Sequence, residues 1–242
     1  MCPANFPSAT PVNRTRRETC SDRVVYTRCM RIIVTGVTGM VGEGVMLECL
    51  ESPDVEQVLV VSRKPVNHEH PKLVQLTVAD FRKLDDVEAQ LTGYDGCFYC
   101  AGVSSVGMSE ADYTVISHDT PLAFATTLAR LNPQLVLTYV TGAHTDEHGK
   151  RMWARVKGRA ESALAKLPLK GVYNFRPGLM TPKRGQKHLK TGYKIALVFA
   201  PLLKLFFPAL TLSQVGRAML ACVRTGAPKH VLEIPDIAAL AG

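Results

Sequence analysis

Thr141, Trp153 and Lys157 have the spacing in this chain that most invites chemistry, with His144 close by. The stretch RMWARVKGRAES reads as a helix, so Lys157 stands one turn beyond Trp153 on the same face. Thr141 ends the apolar run QLVLTYVTG, which reads as a strand, twelve residues before Trp153. A hydroxyl, an amine and an imidazole are groups that hold and move protons at a substrate oxygen. The indole is not, because its N–H only donates and does not titrate near neutrality. His144, three residues past Thr141, has a suitable pKa for proton transfer, with Tyr193 or water as weaker carriers. Simpler roles stay open for each: Trp153 as a core aromatic, Lys157 as a solvated helix lysine, His144 as a plain loop histidine.

The elements that must position these groups emerge from hydropathy patterning. From Met30 on, strand-like runs alternate with helical ones. RIIVTG, QVLVVS (57–62), KLVQLTVA (72–79), GCFYCAG (96–102), QLVLTYVTG (134–142) and GVYNFRPG (171–178) read as strands. GMVGEGVMLECLES, LDDVEAQLTG (84–93), 111–132 with an interruption at Pro121, and 150–167 read as helices. Strands separated by helical stretches of this length imply βαβ units and a doubly wound parallel α/β sheet. At 242 residues, 46% hydrophobic and 21% charged, the chain fits one large domain with a sizeable core. The expected division is a disordered extension over 1–29, lacking apolar periodicity, and a single domain over 30–242 whose substrate region occupies about 179–242.

VTGVTGMVG sets Gly36, Gly39 and Gly42 between the first strand and the first helix. In that context the glycines serve a sharp turn, a close backbone approach to a diphosphate, and tight helix–strand packing. Amides at the helix N-terminus then face the phosphates, the arrangement of a Rossmann-type dinucleotide site. The second strand ends in VVSRKP, with Arg63 and Lys64 and no carboxylate for a ribose 2′-hydroxyl. Two cations suit a 2′-phosphate, so NADP(H) is favoured over NAD(H).

VTGVTGMVG, VVSRKP, VADFRKLDD, CAG, WARVKGRAE and NFRPG occur in an order that resembles the short-chain dehydrogenase/reductase superfamily. The closer likeness is to its atypical, NAD(P)-dependent epimerase/dehydratase-like branch. The resemblance covers roughly residues 30 to 240 and implies roles residue by residue. Thr38, Gly39, Met40 and Val41 would lie along the pyrophosphate. Ser62, Arg63 and Lys64 would surround the adenosine 2′-position, and Asp80 and Phe81 would stand beside adenine. Cys100, Ala101 and Gly102 would follow the ribose, and Pro177, Gly178 and Leu179 would flank the nicotinamide. For Asp80, capping FRKLDD is a competing role. The family's reductases use a Ser or Thr, a Tyr and a Lys. Thr141 and Lys157 match, with Lys157 also binding the nicotinamide ribose, and Trp153 stands where the phenol belongs. The implied function is an oxidoreductase or epimerase acting on a carbonyl or nucleotide-sugar substrate. The alternative is a non-catalytic NADP(H)-dependent redox sensor or protein-binding module.

Charge and cysteines narrow the remaining classes. No Asp or Glu occurs between Glu161 and Glu233, where twelve Lys or Arg do. Such a stretch attracts phosphorylated ligands, anionic membranes or nucleic acid, but no interleaved stacking aromatics accompany it, which argues against nucleic acid. The apolar segment 195–210 is broken by Pro201, Lys204 and Pro208 and falls short of the roughly 20 residues of a membrane span. It reads as a cover over the cleft, a homodimer contact or a protein-partner contact, with surface attachment to a membrane less favoured. Cys97 and Cys100 form a C-x-x-C inside a strand, which points the thiols to opposite faces. With no second Cys/His pair at ligand spacing, no metal is expected. Reduced thiols and the lack of a secretory h-region place the protein in the cytoplasm.

Overall fold

The computed structural model describes residues 15–20, 23–187 and 209–242, with side-chain surroundings from Cys29 onward. Its centre is a seven-stranded, all-parallel sheet. The strands are β3 (Met30–Thr35), β4 (Val55–Ser62), β5 (Leu73–Thr77), β6 (Gly96–Tyr99), β7 (Val136–Val140), β8 (Gly171–Phe175) and β11 (Val231–Leu232). Their spatial order is β5-β4-β3-β6-β7-β8-β11. The chain steps outward from β3 through β4 to β5, then returns to the other edge of β3 with β6. That reversal opens a crevice beyond the carboxyl ends of β3 and β6, where doubly wound sheets bind ligands. The doubly wound Rossmann-type sheet expected from the sequence is therefore the fold observed.

Strand alternation feeds two cores, one on each face of the sheet. Ile32, Val34, Val58, Val60 and Phe98 meet α1 (Met40–Glu51) and α6 (Leu212–Thr225) on one face. Ile33, Leu59, Val61, Tyr99, Leu137 and Tyr139 meet α4 (Thr120–Leu131) and α5 (Met152–Leu164) on the other. Both faces are covered, so the strands read as nearly continuous apolar runs.

Several elements differ from the sequence expectation. LDDVEAQLTG is a 3₁₀ turn, Asp85–Val87, followed by the short helix α2 (Glu88–Leu91). Leu84 and Val87 hold bridging backbone angles that break the helical ladder, and Gly93 at φ +83° ends it. The 111–132 stretch stays helical throughout, as α3 (Glu110–Thr114), a π turn at Val115–Asp119, and α4. Pro121 has no N–H for the Ser117 carbonyl one turn back. The π register absorbs the misfit, and the Tyr139 hydroxyl donates to Ser117 O at 2.8 Å instead.

The 1–29 extension, expected to be disordered, contains a two-stranded antiparallel hairpin, β1 (Thr15–Cys20) with β2 (Arg23–Arg28). The β-branched and aromatic residues of RVVYTR favour the extended state, a signal that the arginines and early prolines obscured. The hairpin joins no strand of the main sheet.

After β8, β9 (Leu179–Thr181) pairs in parallel with β10 (Ala209–Thr211). Thr211 and Gln214 form the expected capping box of α6, and Gly226 at φ +79° ends that helix. The sequence reading did not anticipate β11 or the following helix α7 (Ile234–Leu240). Of the apolar 195–210 segment, Ala209 and Leu210 belong to β10. Residues 195–208, with Lys190 and Lys194 upstream, lie outside the described residues. Among the described residues, no helix is long and apolar enough to cross a membrane.

Candidate functional site

The glycine turn is built by steric exclusion. Gly36 has φ +72°, and a Cβ there would fall 2.6 Å from Ala101 N and from the Cys100 carbonyl. The turn therefore presses directly on the end of β6. A Cβ on Gly42 would stand 2.4 Å from Gly36 O, so this glycine brings α1 against β3. Gly39 is different: its Cβ would meet only Gly36 O, at 3.3 Å, and no other atom within 4 Å. It is also the N-cap of α1, and no side chain caps that helix. First-turn amides left without a side-chain acceptor beside open space fit a bound diphosphate.

Thr35, which the sequence reading passed over, fixes the opposite wall. Its Oγ1 accepts from the Cys100 and Ala101 N–H groups, each at 3.2 Å, locking the end of β6 to the end of β3. Cys97 faces one core and Cys100 packs on the other, as alternation required. Burial raises both thiols, Cys100 to about 12. Among the described residues no cluster of three or more His, Cys, Asp or Glu could hold a metal.

At the end of β4, Arg63 and Lys64 are exposed, while the Ser62 hydroxyl turns inward and donates to Lys64 O at 2.6 Å. Arg63 lies near enough to the buried Tyr99 phenol to oppose the rise that burial imposes on it. Asp80 accepts from the Arg82 backbone N–H at 2.9 Å and pairs with its guanidinium. Those bonds to Arg82 hold its carboxyl at about 2. The competing helix-cap role expected for Asp80 is not met, because no helix starts there; Asp80 instead closes a turn onto Arg82. Phe81 turns its ring into the core against Phe124 and Tyr99, at centroid distances of 5.2 and 6.5 Å. Its backbone alone is left for an adenine.

A clip from the C-terminal region closes the outer side of α1. Glu43, in the first turn of α1 and wholly buried, accepts from the Lys187 N–H at 2.7 Å and lies 2.9 Å from His68 Nε2. Gln186 donates to Met40 O at 2.6 Å. Lys183 binds Glu48 and Glu51 at 2.7 and 2.8 Å. Four of the twelve cations of the acid-free stretch pair with carboxylates of this chain: Lys183 here, Arg176 on Glu161, Arg224 on Asp54 and Lys229 on Asp236.

The proton-transfer groups collect where β7 meets α5. Lys157 Nζ donates to Thr141 O at 3.2 Å and Val140 O at 3.4 Å. Burial lowers its ammonium to about 8, against the opposing pull of Glu161. Trp153, one turn earlier, is half-buried, with its six-membered ring 3.6 Å from where a Gly142 Cβ would be. The Thr141 hydroxyl is taken up by a neighbour on α5. It donates to Glu161 Oε1 at 2.6 Å, and the same carboxylate is gripped by Arg176 at 3.1 and 2.5 Å. Arg176 continues to Glu233 at 3.2 Å. His144 is exposed on left-handed backbone, φ +65°, inside a turn closed by Thr145 N–H to Gly142 O. Pro177, Gly178 and Leu179 follow the carboxyl end of β8, with Leu179 exposed.

Glu161, like Thr35, is a residue that sequence reasoning missed. Its signal was available: Trp153, Lys157 and Glu161 recur at steps of four along one helix, so the carboxylate shares the face of the amine.

The glycine turn, the reversal of strand order and the uncapped α1 define a dinucleotide-binding Rossmann protein. Residues 32–148 match the model of the NAD dependent epimerase/dehydratase family. The expected likeness to NAD(P)-dependent epimerase/dehydratase-like proteins is borne out over those residues. Leucinostatins biosynthesis cluster protein T of Purpureocillium lilacinum is 31% identical over 143 residues, 57% of this chain. The matched region is 52% of that protein, so the chain aligns with about half the length of this curated relative. Among solved structures, the Bordetella bronchiseptica enzyme WbmF in complex with NAD+ superposes with a TM-score of 0.62 at 18% identity, over 88% of this chain and 76% of that one. A short chain dehydrogenase/reductase from Saccharomyces cerevisiae gives 0.63 at 14% identity, over 88% and 98%. At such identities these structures establish the fold.

Proposed function

We propose that this protein is an NADP(H)-dependent oxidoreductase or epimerase that works on a carbonyl group. The observation that carries the reading is the alignment of three features along one crevice edge. They are the open α1 N-terminus at Gly39, the exposed Arg63–Lys64 pair at the end of β4, and Lys157 at the end of β7. In this arrangement the first-turn amides of α1 bind the diphosphate and the two cations bind the 2′-phosphate. Lys157 stands at the nicotinamide end of that line. When bound, the reduced nicotinamide supplies a hydride. Val103 and Val106, both exposed beyond β6, and exposed Leu179 beyond β8 give the strand ends apolar side chains. That supports a small, weakly polar carbonyl compound over a nucleotide sugar.

Trp153 is the only tryptophan of the chain, so its emission reports the site directly. Titrating the full chain with NADPH should quench it at micromolar concentrations, with NADH much weaker. Arg63→Ala should remove most of that preference, a loss of about 1.5–3 kcal/mol for a charge-assisted contact. Equal binding of both nucleotides, unchanged in the variant, contradicts the NADP(H) assignment.

A second reading is favoured by the seating of Trp153 against Gly142 and the diversion of Thr141 to Glu161. In it, the protein binds the nucleotide without turnover and presents the 195–210 segment to a protein partner. Restoring the phenol separates the two. Trp153→Tyr should raise carbonyl reduction by about 100-fold or more if the rest of the site is competent. A variant that binds NADPH, read by the emission of the nucleotide itself, and stays inert favours the sensor.

A further inference from the structure

We propose that Lys157 itself is the proton carrier of this site, giving and taking the proton at the substrate oxygen that a phenol would otherwise serve. The inference rests on the NADP(H)-dependent carbonyl chemistry proposed above and names the group that completes it.

Among the described residues the surrounding groups are each committed elsewhere, and Tyr193, the weaker candidate in the sequence, lies outside them. The indole of Trp153 does not titrate. The Thr141 hydroxyl is bound to Glu161, and Glu161 is forked by Arg176, which also holds Glu233. His144 projects from an exposed turn. On the helices packed against α5, Glu110 is paired with Arg155 and Arg159, Asp112 serves the N-cap Ser109 of α3, and His118 pairs with Asp119. Arg130 is held by Glu88. Among the described residues, Glu161 is the charge that acts on the Lys157 ammonium.

Lys157 is free in the complementary sense. Its ammonium has three N–H donors, and two are directed at Val140 O and Thr141 O. The third is left for an oxygen at the carboxyl end of β7. The two carbonyls and the backbone they belong to fix Nζ in place, so the donor is oriented before a substrate arrives. Desolvation has also brought the amine close to neutral pH, where it can serve as both acid and base.

In the reducing direction the nicotinamide hydride adds to the carbonyl carbon and the C=O π pair becomes an alkoxide lone pair. Nζ gives that oxygen a proton and becomes a neutral amine, which solvent reprotonates. The products are the alcohol and the oxidised nucleotide. In the oxidising direction the neutral amine takes the hydroxyl proton as hydride leaves carbon.

The test uses the full chain, NADPH and two probe aldehydes, 4-nitrobenzaldehyde and hexanal. NADPH binding is followed by Trp153 emission. The protonation of Lys157 is followed separately, by competitive acetylation with acetic anhydride and mass spectrometry across a pH series. The expected result is one midpoint near 8 in both measurements, with reduction falling about tenfold per pH unit above it. Lys157→Arg keeps the positive charge but cannot give up its proton. It should hold NADPH within about fivefold while losing about 100-fold or more in turnover. A rate midpoint that departs from the acetylation midpoint and disappears in His144→Gln overturns the proposal. So does a Lys157→Arg protein that keeps its turnover. NADPH binding with no reduction of either aldehyde overturns it alone, whereas a failure to bind NADPH overturns the dinucleotide reading along with it.

Discussion

Glu161 shows how one side chain holds several others in place. Its carboxylate is buried, and its acceptor sites are filled by the Thr141 hydroxyl and by the Nε and Nη2 of Arg176. Burying an ion pair gains little over an apolar pair, but removing one partner leaves the other charge stranded. Arg176 keeps Glu233 as a partner, so Glu161→Ala should cost about 1–3 kcal/mol and lower the Lys157 pKa further by deleting the attractive charge beside it. Urea unfolding checks the first effect and acetylation of Lys157 the second; a loss under about 1 kcal/mol would mean that solvent reaches Arg176. Thr141 and Lys157 were legible in the sequence because a strand end and a four-residue helical step are local patterns. The fate of the Thr141 hydroxyl was not, because it depends on an arginine in the next strand. Phe81 and Ser62 were hidden for the same reason: motif position places the backbone, while the side chain follows the packing around it.

Elements are fixed by where their backbone groups find partners. The π turn before Pro121 releases the Ser117 carbonyl, and the buried Tyr139 hydroxyl satisfies it. Tyr139→Phe keeps the ring and deletes the donor, leaving a buried acceptor unpaired at a cost of about 1–3 kcal/mol. Circular dichroism melting checks this, and a melting temperature equal to wild type would mean that water reaches the Ser117 carbonyl. Gly42→Ala acts on another junction, forcing α1 away from Gly36 O. It should cost about 1–3 kcal/mol and abolish quenching of Trp153 by NADPH, whereas retained quenching would show that α1 keeps its place. The parallel strands and the main helices were readable because their periods persist over many residues. The hairpin at β1–β2 and the edge strand β11 were not. Short strands carry almost no period, and β11 exists only because β8 offers it an edge.

The whole molecule carries a pH response in which two kinds of buried group oppose each other. Lys157 is lowered to about 8 in the fold by burial, while an unfolded lysine titrates near 10.4. Below about pH 8 both states hold the proton, and the desolvated ammonium weighs fully against the fold. Between the two values the unfolded chain binds more protons than the native one, so this group makes stability rise with pH. The buried thiols Cys49, Cys97, Cys100 and Cys222 are all raised by burial. Above about pH 8.5 the unfolded chain loses those protons first, so they make stability fall. A single pH curve mixes the two, but the difference between Lys157→Met and wild type cancels the thiols. Deleting the bonds to Val140 O and Thr141 O shifts that difference by a nearly constant amount, so its slope is the reading. The advantage of Lys157→Met should shrink by about 1–2 kcal/mol from pH 7 to about pH 10, less than the full 1.36 kcal/mol per pKa unit because the Lys157 side chain keeps some solvent exposure. Urea midpoints at matched ionic strength measure it. A difference that stays flat would place the Lys157 ammonium in water, and with it would go the reason this amine is poised to exchange a proton near neutrality.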